Sequence, residues 1–343
     1  MNRTSRALVL GPGGVPGTAW MAGLAAGLRH RGVDLADADL IVGTSAGAIV
    51  GAMLATGQDL DRLATRTGPD RDPRQDRDGR STASPTSPPA YPQTDSRADS
   101  RTESRTDPPT NSQAGSRTDS PTRPRTDPAR MAEVFTVLGD PTLEPREARR
   151  RVGRIALEAP TILEEERLAL MESLINARQW PDRRLLITAV NAETGEPKVW
   201  DRESGAPLVA AVAASSAMPG AYPPITINGH RYMDGALAGG ANVALATGAR
   251  VVLLVEPLAH LFPREPLDFP REPFDGLGAD TAVAVSPDAS SLKAFGSDMS
   301  DVTSWQPAFH AGVSQAEHEA ERLRAAWPAT TLPAETVGKQ PLA

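Results

Sequence analysis

Ile41-Val42-Gly43-Thr44-Ser45-Ala46-Gly47-Ala48 is the stretch that decides the fold. Asp39 to Val42 is a short apolar strand, and after the glycines Ile49, Val50, Met53 and Leu54 recur at helical spacing. The segment therefore reads as strand, tight turn and helix. That is the context in which G-x-S-x-G acts as a nucleophile elbow, lifting the serine hydroxyl clear of the backbone. A turn this sharp needs small residues two places before and two places after the serine, and Gly43 and Gly47 stand there. The helix also points its N-terminal N–H groups and the positive end of its dipole at Ser45, which favours a developing alkoxide. The bland alternative is an αβ corner in which Ser45 merely caps a helix.

Upstream, Arg6 to Leu10 reads as a buried strand and Gly17 to Arg31 as a helix with Trp20, Leu24 and Leu28 on one face. Strand, crossover helix and second strand make a parallel unit. Between the first strand and its helix lies Gly11-Pro12-Gly13-Gly14-Val15-Pro16-Gly17, a loop whose backbone N–H groups suit an anion. A dinucleotide fingerprint would place its third glycine at position 16, which is Pro16, and would end the second strand in an acidic residue; here it runs into Gly43-Thr44-Ser45. No Gly-Lys-Ser/Thr follows, so a P-loop is excluded as well. A tetrahedral oxyanion next to Ser45 fits better.

The chain has 343 residues, 39 % of them hydrophobic, enough for a substantial core, and a formal net charge of −7 that argues against an electrostatic hold on nucleic acid. With no cysteine there is neither a thiolate nucleophile nor a Cys-ligated zinc. No apolar run approaches the roughly 18–20 residues of a membrane span, and the N-terminal run from Ala7 to Leu10 is too short for a signal peptide, so a cytoplasmic protein is expected. Residues 66–130 contain no Val, Ile, Leu, Met, Phe or Trp, and repeat Ser-Arg-x-Asp/Glu tetrads at 96–107 and 116–119. Such a segment cannot offset the entropy of ordering it, and is expected to be a disordered, low-complexity insertion spliced into one domain formed by 1–65 and 131–330. Residues 331–343 are expected to be a flexible tail.

Beyond the insertion, helices are expected at Glu144–Glu158, Ile162–Arg178, Pro207–Ser215, Ala241–Thr247 and Gln306–Trp327. Strands are expected at Arg184–Asn191, Lys198–Trp200, Ile225–Tyr232, Arg250–Glu256 and Thr281–Ser286. Leu168, Met171, Leu174 and Ile175 form an apolar stripe that packs on the core or faces acyl chains as part of a cap. A serine nucleophile needs a base, and none of His30, His230, His260, His310 and His318 stands in a turn that marks it as one. Tyr232-Met233-Asp234-Gly235-Ala236 carries an aspartate out of a strand into small residues, which by itself is an ordinary turn signal.

Taken together, LIVGTSAGAIVGAML (40–54), AVAASSAMPGAYPP (211–224) and RYMDGALAGGANVALA (231–246), preceded by the glycine loop, resemble the patatin-like phospholipase family, over about 1–60 and 180–295. The resemblance implies a three-layer α/β/α sandwich with a mainly parallel central sheet. It also implies a Ser-Asp dyad: Ser45 as nucleophile, Asp234 as general base, and Gly13 and Gly14 as oxyanion donors, with Gly11, Gly17, Gly43, Gly47, Gly235 and Ala236 as motif support. It implies hydrolysis of carboxylic esters in acyl lipids, with no metal or other cofactor, no nucleic-acid partner, and room for transient contact with a membrane surface. The chain departs from the family in Pro12, which has no N–H to donate, in DGA where DGG is frequent, and in Asn242-Val243-Ala244 where Asn-x-Pro is usual. Three rivals remain at this point: an α/β-hydrolase triad using His260, His310 or His318, a catalytically silent lipid-binding scaffold, and a nucleotide-binding module using the Gly11 to Gly17 loop.

Overall fold

The computed structural model describes residues 6–66, 128–261 and 274–327. The expected insertion lies outside these residues except for Arg66 and 128–130, and the expected 331–343 tail lies outside them entirely.

An eight-stranded sheet organises the chain. Its strands are β1 (Arg6–Leu10), β2 (Leu40–Gly43), β3 (Arg184–Asn191), β4 (Pro197–Trp200), β5 (Ile225–Ile227), β6 (His230–Asp234), β7 (Val251–Val255) and β8 (Thr281–Val285). They are hydrogen-bonded in the order β5-β6-β3-β2-β1-β7-β8, with β4 added to β3. The run β3-β2-β1-β7-β8 is parallel, and β4, β5 and β6 are antiparallel to their neighbours. The inner parallel strands β1, β2 and β7 are buried on both faces, while β8 at the edge is only partly covered. Along β1, Leu8 and Leu10 enter one core while Ala7 and Val9 enter the other.

The helices are α1 (Gly14–His30), α2 (Ala46–Ala55), α3 (Pro128–Leu138), α4 (Pro145–Glu158), α5 (Glu164–Ile175), α6 (Leu208–Ser215), α7 (Ala289–Phe295) and α8 (Trp305–Ala326). Side chains of α1, α2, α5, α6, α7 and α8 share the core on one face of the sheet. On the other face, Val134 of α3 and Val152 and Ala156 of α4 pack against Val190 and Met233, completing an α/β/α arrangement. Helices α1 and α8 approach closely because small residues meet backbone: a Cβ on Gly23 would overlap the Phe309 carbonyl, and one on Gly312 the Trp20 carbonyl. Trp20, fully buried there, donates its indole N–H to Gln315 Oε1 at 3.0 Å. Among the described residues no helix is long and apolar enough to cross a membrane.

Three features depart from the sequence reading, and one alternative it left open is resolved. The strand expected at Ile225–Tyr232 is a hairpin, β5 and β6, turning at Asn228-Gly229, both with positive φ. Asn-Gly is the strongest short-range hairpin signal, and it was hidden because the segments on either side, Ile225–Ile227 and His230–Asp234, are short. The helix expected at Ala241–Thr247 is only a 3-10 turn, Val243–Ala246. Helix α3 takes in 128–130, which composition assigns to the insertion, and both α3 and α7 lie where no helix is expected. Finally, Met171, Leu174 and Ile175 are buried in the main core with Leu168 against them, so the α5 stripe packs on the core.

Candidate active site

Register places the two ends of the site. β4 pairs with Ile187, Thr188, Ala189 and Val190 of β3, so it occupies one edge of that strand along its C-terminal half. β2 pairs with β3 as far as Gly43↔Ile187, and β6 pairs from Ala189↔Asp234 onward. A strand has two edges, so β2 and β6 must share the other one. They arrive from opposite directions and end against Thr188. Gly43-Thr44-Ser45 therefore meets Asp234 across a single residue of β3, although 189 positions separate Ser45 from Asp234 in the chain.

The elbow itself is built by close approach. Ser45 adopts φ 55° and ψ −118°, a strained conformation for a residue with a side chain. The following turn is pressed against β1: Thr44 N donates to Leu10 O at 3.0 Å and Gly47 N to Gly11 O at 3.1 Å. A Cβ on Gly47 would overlap the Leu10 carbonyl, so the position admits only glycine. Gly43, on the other side, faces Ala48 with room for no side chain, its Cβ position lying 2.6 Å from Ala48 Cα. Gly47→Ala is accordingly expected to lose about 1–3 kcal/mol or more of stability, read by denaturant melting. Its loss of activity should exceed that of a surface variant of equal stability, because the displaced segment carries Ser45.

Ser45 stands at the N-cap of α2, yet its side chain caps nothing. Its hydroxyl donates instead to Asp234 Oδ2 at 2.7 Å. The other carboxylate oxygen, Oδ1, accepts from Ala236 N at 2.9 Å, because Asp234 caps the 3-10 turn Gly235–Ala238. Gly235 lies flat on Thr188. Asp234 is 3 % exposed and Ser45 8 % exposed. Burial pushes the Asp234 carboxyl up to about 6, opposed by the Ala236 N–H, the Ser45 hydroxyl and the charge of Arg167. A carboxyl in that range is half ionised near pH 6 and ionised at neutrality, as a base for a hydroxyl must be.

The glycine loop continues β1 and lies beside the elbow through the Gly47–Gly11 bond. Gly14, with φ 61°, opens α1, and a side chain there would strike Met299. Val15 N is taken by Met299 O, Gly11 N by Val255 O and Gly17 N by Gly13 O. Among the described residues the N–H groups of Gly13 and Gly14 meet no acceptor. Pro12 sits one position before these donors and removes neither of them.

A polar network under the elbow was not legible in the sequence. Thr44 Oγ1 and Thr188 Oγ1 are 2.9 Å apart. The Asn242 amide lies 3.1 Å from Thr44 Oγ1, 3.4 Å from Thr188 Oγ1 and 3.3 Å from Gly235 O, so one side chain ties together the segments that carry Ser45 and Asp234. Ser45 N donates to the buried Ser215 Oγ at 2.9 Å. The five histidines lie elsewhere: His30 pairs with Asp61, His230 lies 3.6 Å from Glu193, and His260, His310 and His318 are exposed. Neither Ser45 nor Asp234 bonds a histidine, so a Ser-His-Asp triad has no third member here. Among the described residues no group of three His, Asp or Glu side chains is arranged to hold a metal ion.

The family described as Patatin-like phospholipase matches residues 8–247. No curated protein matches the chain. Among solved structures the chain is similar to VipD from Legionella pneumophila, at 11 % identity and a TM-score of 0.41, over 93 % of this chain and 67 % of VipD.

Proposed function

We propose, from the premise that the chain belongs to the patatin-like phospholipase family, that it is a serine acyl hydrolase cleaving carboxylic esters of phospholipids or related acyl lipids through Ser45 and Asp234. The observation that carries this reading is the 2.7 Å hydrogen bond from the Ser45 hydroxyl to a buried carboxylate. In the reaction, Ser45 Oγ attacks the ester carbonyl as its proton passes to Asp234 Oδ2. The N–H groups of Gly13 and Gly14 receive the oxyanion, and the leaving alcohol takes a proton from Asp234. An acyl-enzyme is left on Ser45. Water then attacks the acyl-enzyme with Asp234 again as base, returning the carboxylic acid and free Ser45. The Ala236 N–H holds the carboxylate in place for both steps.

The catalytic domain in this reading is discontinuous, 1–65 and 131–330, with the first turn of α3 at 128–130 added to its second part. Its substrates are lipids, met at a membrane surface or in dispersed form. A fluorophosphonate probe followed by peptide mass spectrometry tests the nucleophile without a choice of substrate. A single adduct on Ser45, blocked by prior acylation, is expected. Ester turnover with no adduct on Ser45 would overturn the mechanism, and absence of both labelling and turnover would favour a silent lipid-binding scaffold.

A further inference from the structure

Three consecutive residues at the end of α6 touch different parts of the site. Ser215 Oγ accepts the Ser45 N–H at 2.9 Å, and Ala217 O accepts the Asp234 N–H at 3.0 Å. Between them, Ser216 receives the guanidinium of Arg167, whose Nη2 lies 3.0 Å from Ser216 Oγ and 3.3 Å from Ser216 O. Arg167 comes from α5, is 4 % exposed, and stacks its guanidinium 3.7 Å over the ring of Tyr222. A buried arginine is costly unless hydrogen bonds and neighbouring charge compensate it. Here one is retained on the strip that fixes the backbones of both proposed reacting residues.

We propose that Arg167 is a positioning residue of the dyad: from α5 it clamps the Ser215-Ser216-Ala217 strip and supplies the positive charge that keeps Asp234 available as a base. The proposal rests on the Ser45–Asp234 reading above and adds a residue that none of the sequence motifs contains. Arg167 acts through the strip and through its field, and is not placed on the reacting atoms.

The charged surroundings of Asp234 leave this role to Arg167. Helices α2 and α6 carry no ionisable side chain. On β3, Arg184 is at the far end of the strand. On β6, Arg231 donates to Pro224 O and His230 lies beside Glu193, both away from the Asp234 end. On α5, Glu164 bonds Thr226, and Glu165 and Glu166 share that first turn. Among the described residues Arg167 is the charged side chain whose field reaches Asp234, and it draws the carboxyl down against the effect of burial.

The test uses the full chain with Arg167→Lys, Arg167→Gln and Arg167→Met. Two readouts are followed: the pH profile of p-nitrophenyl butyrate hydrolysis, and the Asp234 side-chain carbon shift titrated by NMR, which needs no turnover. Loss of the charge in the Gln and Met variants should move the Asp234 titration, and the acid limb of kcat/KM with it, upward by about half a unit or more. It should also lower kcat roughly tenfold with KM nearly unchanged. Lysine should restore the titration while recovering kcat only in part, because a point charge cannot reproduce the guanidinium contact with Ser216 and Tyr222. Should Arg167→Met fail to fold, Arg167→Gln keeps a donor toward Ser216 and carries the comparison.

An Asp234 titration in the Gln variant that superimposes on the wild type overturns the inference. A shifted titration in a protein whose wild type neither turns over esters nor takes the probe upholds the coupling and refutes the hydrolase reading. The two failures are thereby separated.

Discussion

Ser45→Ala is expected to abolish ester turnover, leaving only what oxyanion donors and binding provide without a nucleophile. In hydrolases whose reacting groups act as a hydrogen-bonded unit, removal of the nucleophile costs on the order of 10⁶ in kcat. The fold should survive. Alanine at φ 55° is under no more strain than serine, and Ser45 makes one side-chain hydrogen bond, to Asp234. Thermal melting should therefore shift little while the rate falls to background and fluorophosphonate incorporation disappears. The remaining carboxyl, deprived of the hydroxyl that stabilises its charge, should titrate higher than in the wild type. Turnover equal to that of the wild type in a purified, folded Ser45→Ala protein would end the reading of Ser45 as the nucleophile.

Asp234→Asn separates activity from stability. Loss of a general base typically costs about 10²–10⁴ in rate, and the acid limb near pH 6 that its ionisation gives the wild-type profile should vanish with it. Stability should move the other way. The folded carboxyl titrates at about 6, against 3.8 when unperturbed. Below about pH 4 both folded and unfolded chains hold the proton and the group contributes nothing. As pH rises from about 4 to about 6 the unfolded chain ionises first, so stability falls, and above about 6 the full cost of the buried charge is present. Asparagine escapes that cost. Its carbonyl still accepts the Ala236 N–H and its amide donates to Ser45 Oγ. The variant should be more stable than the wild type near pH 8 by roughly 3 kcal/mol, at about 1.4 kcal/mol per unit, with the difference closing below pH 4. Chemical denaturation across that range measures it, and a constant difference at all pH values would remove burial of the charge as the cause. A functional site held at a cost in stability is the usual trade.

The elbow, the glycine loop and the parallel β1-α1-β2 unit were legible because their determinants are local. A strand, a tight turn and a helix each impose residue types within a few positions, and Gly43, Gly47 and the apolar spacing of α2 satisfy them. The same locality explains what was missed. Asn228-Gly229 carried the hairpin signal but lay between segments of only 3 and 5 residues, too short to read as separate strands. Helix α3 begins in the low-complexity composition that precedes it, and its anchor, Val134, finds its partners on α4, β3 and β6. Arg167 looked like an ordinary residue, and Ser215 and Asn242, though inside the quoted motif segments, carried no role there, since nothing near them in the chain announces a partner.

What the sequence determined by itself was the set of pieces: a serine on a sharp turn at a helix N-terminus, a glycine loop after a strand, and an aspartate leaving a strand. Whether those pieces meet was decided only by tertiary structure. It depended on β2 and β6 entering the same edge of β3 from opposite ends, so that Ser45 and Asp234 close on Thr188. Strand register and burial also set the properties of the carboxylate, because desolvation and the field of a distant arginine act through space, and spacing along the chain does not encode them.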